Sequence, residues 1–208
     1  MLSLVHAIQQ ALSQPLPGIN AQFRMAKLDR PILTIDEILA KSPRLAAVQI
    51  LIFPKEETLH FIMIERQEYD GTHSGQMAFP GGKKDPEDFD LMQTALRETQ
   101  EEIGWKLESH HILGALSPVY IPVSHFLVYP YISFIDEKQA YNQDPREVKQ
   151  VCEFPLTTFL DDSNKKEQTF FYKNTDYTTP AYSIDNKIIW GASAMMLSEL
   201  EEIIKRVL

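Results

Sequence analysis

The stretch from Phe79 to Trp105, FPGGKKDPEDFDLMQTALRETQEEIGW, sets the tightest limits on how this chain folds. It reads as a glycine turn, an acidic connector and one helix with glutamates 98, 101 and 102 near its end. At about 100° per residue, Glu98, Glu101 and Glu102 fall within a sector of roughly 100° on one face. Met92, Ala95, Leu96, Thr99 and Ile103 fall on a second sector, centred roughly 120° away. The helix is therefore expected to bury one side and present carboxylates along another. Arg97 stands at i, i+4 to Glu101, where it can hold that carboxylate. Gly104 supplies a residue that can end the helix in a left-handed conformation.

Like charges packed this closely repel one another unless a positive group sits between them. Oxygen ligands on a hard divalent cation, Mg²⁺ or Mn²⁺, resolve that repulsion. For a glutamate run in isolation, a solvated acidic face is the plainer reading. Here the run is coupled to Phe79-Pro80-Gly81-Gly82 at a fixed distance upstream. Paired glycines let a backbone approach a ligand closely, and that coupling favours the metal-binding face.

The chain has 208 residues, 44% hydrophobic and 24% charged. That suffices for a single domain over residues 1–208, with residues 1–40 as a helical extension packed on it. The net charge of −9, without a lysine or arginine cluster longer than a pair, argues against a nucleic-acid surface. An acidic protein that handles an anionic substrate needs metal ions as mediators, in agreement with the carboxylate helix. Cys152 is the sole cysteine, so no internal disulfide forms and a reducing compartment is favoured. No apolar run reaches membrane-spanning length. The N-terminal MLSLVHAIQQALSQ lacks a basic leader region and a cleavage site, so a cytoplasmic location is expected.

Taken in order, Leu2, Leu4, Val5, Ile8 and Leu12 recur at helical spacing before Pro15 and Pro17-Gly18. Two roles are open for this helix, packing on the core or a homodimer contact. Ala46 to Phe53 is near-continuously apolar and reads as a buried central strand. Thr58 to Ile64 returns beside it as a hairpin. After the glutamate helix, residues 111–116 read as a strand. Residues 119–135 read as two more, broken at Pro122, His125 and Pro130. The polar loop 142–147 leads into an apolar stretch, and Leu156 to Leu160 is expected to start a short helix. Residues 168–173 and 180–190 alternate as a hairpin across Asn174-Thr175-Asp176. Ala192 to Leu208 is an amphipathic helix. The pattern gives an α/β fold with a mixed β-sheet between helical layers.

The segment Arg97-Glu98-Thr99-Gln100-Glu101-Glu102-Ile103-Gly104-Trp105 resembles the end of the Nudix box, the signature of the Nudix hydrolases, at every polar position. Thr99 and Trp105 stand where that pattern has aliphatic residues, and the spacing from glycine to arginine is one residue longer. The box also has a glutamate between them, for which Asp88 or Asp90 is the nearest substitute. HSGQMAFPGG, with Arg66 upstream, resembles the segment before the box in the coenzyme A pyrophosphatase branch. Ile62-Met63-Ile64 replaces that branch's Leu-Leu-Thr, and Gly71 stands where it has a second arginine.

The resemblance implies a Nudix α-β-α sandwich and a metal-dependent diphosphate hydrolase acting on a small nucleoside diphosphate derivative. It makes Glu98 and Glu102 metal ligands, with a carbonyl of Gly81 or Gly82 completing the shell. Glu101 shares the metal or helps deprotonate water, and Arg97 orients the carboxylates. Glu147 is the candidate for a further carboxylate, against a plain solvated loop glutamate. Arg66, His73 and Lys83 or Lys84, the cationic or potentially cationic residues flanking the glycine turn, are the candidates for substrate phosphate. Coenzyme A is the first substrate implied, cleaved to 4′-phosphopantetheine and adenosine 3′,5′-bisphosphate. ADP-ribose, NADH and nucleoside triphosphates stay open, as does a non-catalytic nucleotide-sensing module.

Overall fold

The computed structural model describes residues 1–27, 30–71, 73–172 and 175–208, with the side chains of residues 172 and 175 set aside. Its centre is β1 (Arg44–Lys55), which runs antiparallel to β2 (Thr58–Arg66) and to the short β4 (Gly81–Lys83). On its other side it pairs in parallel with β7 (Phe126–Phe134). Strands β3 (Met77–Ala78), β5 (Ile112–Ala115), β6 (Val119–Ile121) and β8 (Val148–Pro155) complete a mixed eight-stranded sheet. A smaller antiparallel sheet holds β9 (Lys165–Tyr172), β10 (Thr175–Ile184) and β11 (Lys187–Trp190).

Alternation along β1 explains its unbroken apolar run. Ile50 and Ile52 join one cluster, with Phe61, Met63 and Ile132 of neighbouring strands. Helices α1 (Leu2–Leu12) and α5 (Gly191–Lys205) cover that cluster through Val5, Ile8, Leu197, Leu200 and Ile204. Leu51 and Phe53 join the opposite cluster, with Ile62, Ile64, Ile103 and Trp105, beneath α4 (Leu91–Ile103). Both faces of the strand are thus dry, and each fully buried side chain of this size contributes roughly 1.5–3 kcal/mol. The helical layers flank the sheet as the sequence pattern requires. No helix among the described residues is long and apolar enough to cross a membrane.

Several local expectations need correction. Pro130 does not break β7. Before it β7 pairs with β6, after it with β5, and Leu116 N–H donates to the Pro130 carbonyl at 2.9 Å. The missing proline N–H falls where the partner strand changes, so no ladder bond is lost. Leu156 to Leu160 forms turns rather than a helix, because Phe159 is drawn fully into the core against Phe61. The stretch 180–190 is not one strand. Asp185 and Asn186, at φ 47° and 62°, close a second tight hairpin between β10 and β11, a pair of residues suited to left-handed turn positions. Of the turn expected at 174–176, Asn174 lies outside the described residues, and Thr175 and Asp176 already belong to β10.

Candidate active site

Helix α4 is held at both ends by local chemistry. The Asp90 carboxylate accepts from Gln93 N–H at 2.7 Å, and Gly104 ends the helix at φ 80° with its N–H on the Gln100 carbonyl. The helix packs on β1 through Ala95, Thr99 and Ile103, while Met92 and Leu96 stay partly exposed. The glutamates do not share one environment. Side-chain exposure is 2% for Glu102, 15% for Glu98 and 59% for Glu101. Glu102 therefore belongs to the buried side of the helix rather than to an open carboxylate face.

What allows this is the glycine turn. β4 lies against β1, with Gly81 opposite Val48 and Gly82 opposite Ala47. Gly81 has φ 148°, and a Cβ there would come within 2.3 Å of the Ala47 carbonyl oxygen. Its N–H donates to Glu102 Oε2 at 2.8 Å. A Cβ on Gly82 would sit 2.5 Å from Glu98 Cδ. A side chain at Gly81 would strike the β1 backbone, and one at Gly82 would strike the Glu98 carboxylate.

Arg97 sorts the remaining charges. Its Nε and Nη2 donate to the two oxygens of Asp88, each at 2.9 Å. Its Nη1 reaches Glu98 Oε1 at 2.9 Å and Glu101 Oε2 at 3.0 Å, and Nη2 reaches the Lys83 carbonyl at 3.3 Å. Asp88 is itself buried and also accepts from Asp85 N–H and Thr94 Oγ1. The Arg97 fork holds the Asp88 carboxyl far below the usual carboxylate range. Of the two aspartates open from sequence, Asp88 anchors the arginine and Asp90 caps the helix.

Burial pushes the Glu102 carboxyl up to about 8, against the Gly81 N–H and the Arg66 charge; Glu98 and Glu147 push it further in the same direction. Burial likewise raises Glu98, with Arg97 opposing and Glu101 and Glu147 adding to the rise. Glu147 sits on an exposed loop that docks on the end of α4. Asn142 N–H donates to the Ile103 carbonyl and Asp144 N–H to the Glu102 carbonyl, each at 3.0 Å. The loop thus brings a further carboxylate within electrostatic reach of Glu98 and Glu102.

Arg66 Nη1 lies 3.7 Å from Glu102 Oε1, and its buried Nε has no hydrogen-bond partner. His73, at φ 70°, uses both ring nitrogens, Nδ1 with Gln76 Oε1 at 3.2 Å and Nε2 with Ser124 Oγ at 3.1 Å. Burial lowers its pKa. The Lys83 side chain is exposed, and its residue enters the centre through its carbonyl. Ser124 lies in the polar turn of residues 117–125, which resembles the turn near the substrate in the coenzyme A pyrophosphatase branch, and the fold brings that turn against His73.

Among the described residues, no three of His, Cys, Asp and Glu converge closely enough to ligate an ion as they stand. Arg97 occupies the space between Glu98 and Glu101. One observation nonetheless fits a cation. Glu102 Oε1 is buried without any hydrogen-bond partner, a costly state that a hard cation beside Glu98 would relieve.

A family model described as the NUDIX domain matches residues 43–174. An uncharacterized Nudix hydrolase, NudL, of Yersinia pestis (strain Pestoides F) is 30% identical over 171 residues, covering 82% of this chain and 85% of that protein. The NudL of Yersinia pseudotuberculosis serotype O:1b matches to the same extent, 30% over 171 residues with coverage of 82% and 85%. Among solved structures, the Nudix hydrolase RenU of M. smegmatis superposes with TM-score 0.52 at 14% identity, over 80% of this chain and 88% of that one. A MutT/nudix family protein of Enterococcus faecalis gives TM-score 0.50 at 19% identity, over 83% and 68%. These likenesses agree with a mixed sheet flanked by helices, and the matched span contains the glycine turn, the glutamate helix and the loop of Glu147. The chain belongs to the Nudix family and is a Nudix pyrophosphohydrolase, an enzyme class that works with divalent metal ions.

Proposed function

We propose that this enzyme cleaves the diphosphate of a nucleoside diphosphate derivative, with coenzyme A as the first substrate, at the centre formed by Glu98, Glu101 and Glu102. The buried, unpartnered Oε1 of Glu102 beside Glu98 carries this reading. Mg²⁺ or Mn²⁺, when bound, neutralises diphosphate oxygens and lowers the pKa of water. Glu98 and Glu102 are the ligands, supported by a carbonyl of Gly81 or Gly82. Arg97, held by both oxygens of Asp88, keeps Glu98 and Glu101 in register. Glu101 is the most exposed of the three and takes the proton from the attacking water or shares the ion. Glu147 adds negative charge from the opposite loop. Arg66 supplies a cation to substrate phosphate, with His73 shaping the loop beside it and Lys83 at the rim.

Gly71 favours a second reading, ADP-ribose or NADH, because it removes a cation expected for an additional phosphate. The deciding experiment is a panel of coenzyme A, dephospho-coenzyme A, ADP-ribose and NADH with Mg²⁺ or Mn²⁺, products identified by mass. Release of 4′-phosphopantetheine and adenosine 3′,5′-bisphosphate at the highest kcat/KM supports the first reading. Preference for ADP-ribose or NADH replaces it.

A further inference from the structure

A second cationic group stands apart from the carboxylate centre. Arg30 follows the short helix α2 (Ile19–Gln22) and is half-buried. Its Nη1 donates to Met195 Sδ at 3.2 Å and its Nη2 to the Tyr120 carbonyl, while the guanidinium lies 6.0 Å from the centre of the Phe23 ring. Among the described residues no carboxylate pairs with it, and burial draws its pKa below the ordinary arginine value. Arginine stays charged throughout the physiological range, so its desolvation is only partly compensated by a carbonyl and a thioether. Both are neutral acceptors, which an anionic oxygen displaces because it adds a charge–charge attraction to the hydrogen bond.

The same arginine lines a cleft of about 460 Å³ between the N-terminal segment and β6, together with Phe23, Leu33, Ile35 at the start of α3 (Ile35–Leu39), Tyr120 and Met195. That volume and that mostly apolar lining suit a small molecule held by a few polar contacts. Phe23 and Tyr120 present aromatic rings, which favour a flat ring system over a flexible chain. The Tyr120 wall continues into the turn that meets the loop of His73. Tyr120 Oη bonds His125 Nδ1 at 2.9 Å, and Ser124 of the same turn bonds His73. Of the cations nearer the centre, Arg66 beside Glu102 is assigned to the diphosphate itself, and His73 is bonded through both nitrogens. A further phosphate on the ligand thus needs a cation from elsewhere.

We propose that Arg30 and this cleft form a second phosphate site, which takes a phosphate monoester carried on a nucleoside. The inference borrows from the preceding reading only that the ligand is a nucleotide.

The test is calorimetric titration of the full chain with adenosine 3′,5′-bisphosphate in EDTA, where no cleavage occurs. Saturable binding is expected, and Arg30→Gln should weaken it by about tenfold or more, the loss typical of a charge-assisted contact. Ile35→Trp should weaken it as well, since it adds bulk to the cleft from a residue that is 45% exposed and tolerant of change. Glu102→Gln should leave this binding unchanged while abolishing cleavage in the metal-loaded enzyme, which separates failure of this site from failure of the hydrolase reading. Thermal unfolding of each variant close to wild type qualifies the comparison. Absence of binding to wild type, binding that survives Arg30→Gln or Ile35→Trp in folded protein, or binding of octanoate in place of the nucleotide overturns the proposal.

Discussion

Replacing Glu102 by glutamine should stabilise the metal-free protein while disabling the enzyme. The Glu102 carboxyl has its pKa raised from 4.5 to about 8, chiefly by burial. Between those values the folded state keeps a proton that the unfolded chain has released. Stability is therefore fully present below about pH 4.5 and is lost as pH rises toward 8. At pH 7 the gap of about 2.5 units above the unfolded value, at 1.36 kcal/mol each, amounts to about 3 kcal/mol. Glutamine keeps an oxygen for the Gly81 N–H but titrates nothing. Its amide N–H would face the Arg66 donors, which offsets part of the gain, so about 1–3 kcal/mol of the cost should be relieved. For a chain of this size each kcal/mol moves the midpoint by roughly 2–4 °C. Thermal unfolding followed by circular dichroism in EDTA, from pH 5 to 8, is the assay. The wild-type midpoint should fall across that range and the Glu102→Gln midpoint should stay nearly level. Added Mn²⁺ should restore wild type and leave the variant unmoved. A variant less stable than wild type at pH 7.5, or one that follows the same downward slope, refutes the reasoning.

Gly82→Ala should cost at least about a hundredfold in kcat with the fold retained, because its Cβ would lie 2.5 Å from Glu98 Cδ and displace a proposed ligand; circular dichroism and turnover together check this. Asp88→Asn should destabilise by about 1.5–3 kcal/mol, the range for a hydrogen bond to a charged partner. Since the folded Asp88 carboxyl is depressed, that stability is present above its unfolded value near 3.8 and is lost as pH falls, so the variant's deficit in urea unfolding should shrink below pH 4. Coenzyme A should be cleaved with higher kcat/KM than dephospho-coenzyme A; Arg66→Ala should lower kcat/KM on both by up to about thirtyfold through its lost contact to the diphosphate, whereas Arg30→Gln should narrow the gap between them. Equal efficiency of wild type on both defeats the coenzyme A reading and leaves the hydrolase assignment standing.

The central strand and the glutamate helix were legible because each obeys a local rule. β1 is apolar on both faces as its burial demands, and α4 is bounded by Asp90 and Gly104. The different states of the glutamates were not legible. Helical periodicity puts Glu102 on the face of Glu98 and Glu101, yet Glu102 is buried because Gly81, 21 residues away, offers its N–H. The choice between Asp88 and Asp90 also needed three dimensions, since only the fold brings Asp88 onto Arg97. Pro130 misled for a related reason: whether a proline breaks a strand depends on what its missing N–H would have faced. The Asp185-Asn186 turn did carry a local signal, since both residues tolerate left-handed backbone, but the alternation on either side masked it.

The two arginines of the centre hold their carboxylates in different ways, and this bears on which of them can move. Arg97 is bound to Asp88 by both ends of a fork and to Glu98, Glu101 and the Lys83 carbonyl besides. Moving it would leave the buried Asp88 charge uncompensated, a large penalty. Arg66 faces Glu102 at 3.7 Å, beyond hydrogen-bond length, and its buried Nε bonds nothing. It screens the carboxylate without satisfying it. On the proposed reading Glu102 would hold a divalent cation, and Arg66 would then face a like charge where it now faces a carboxylate. The direction of least cost for Arg66 is then toward an anionic ligand, where its free donors find partners. Arg66 is thus a counter-charge that the proposed function would free for substrate phosphate, whereas the bonds to Asp88, Glu98, Glu101 and the Lys83 carbonyl fix Arg97 in place.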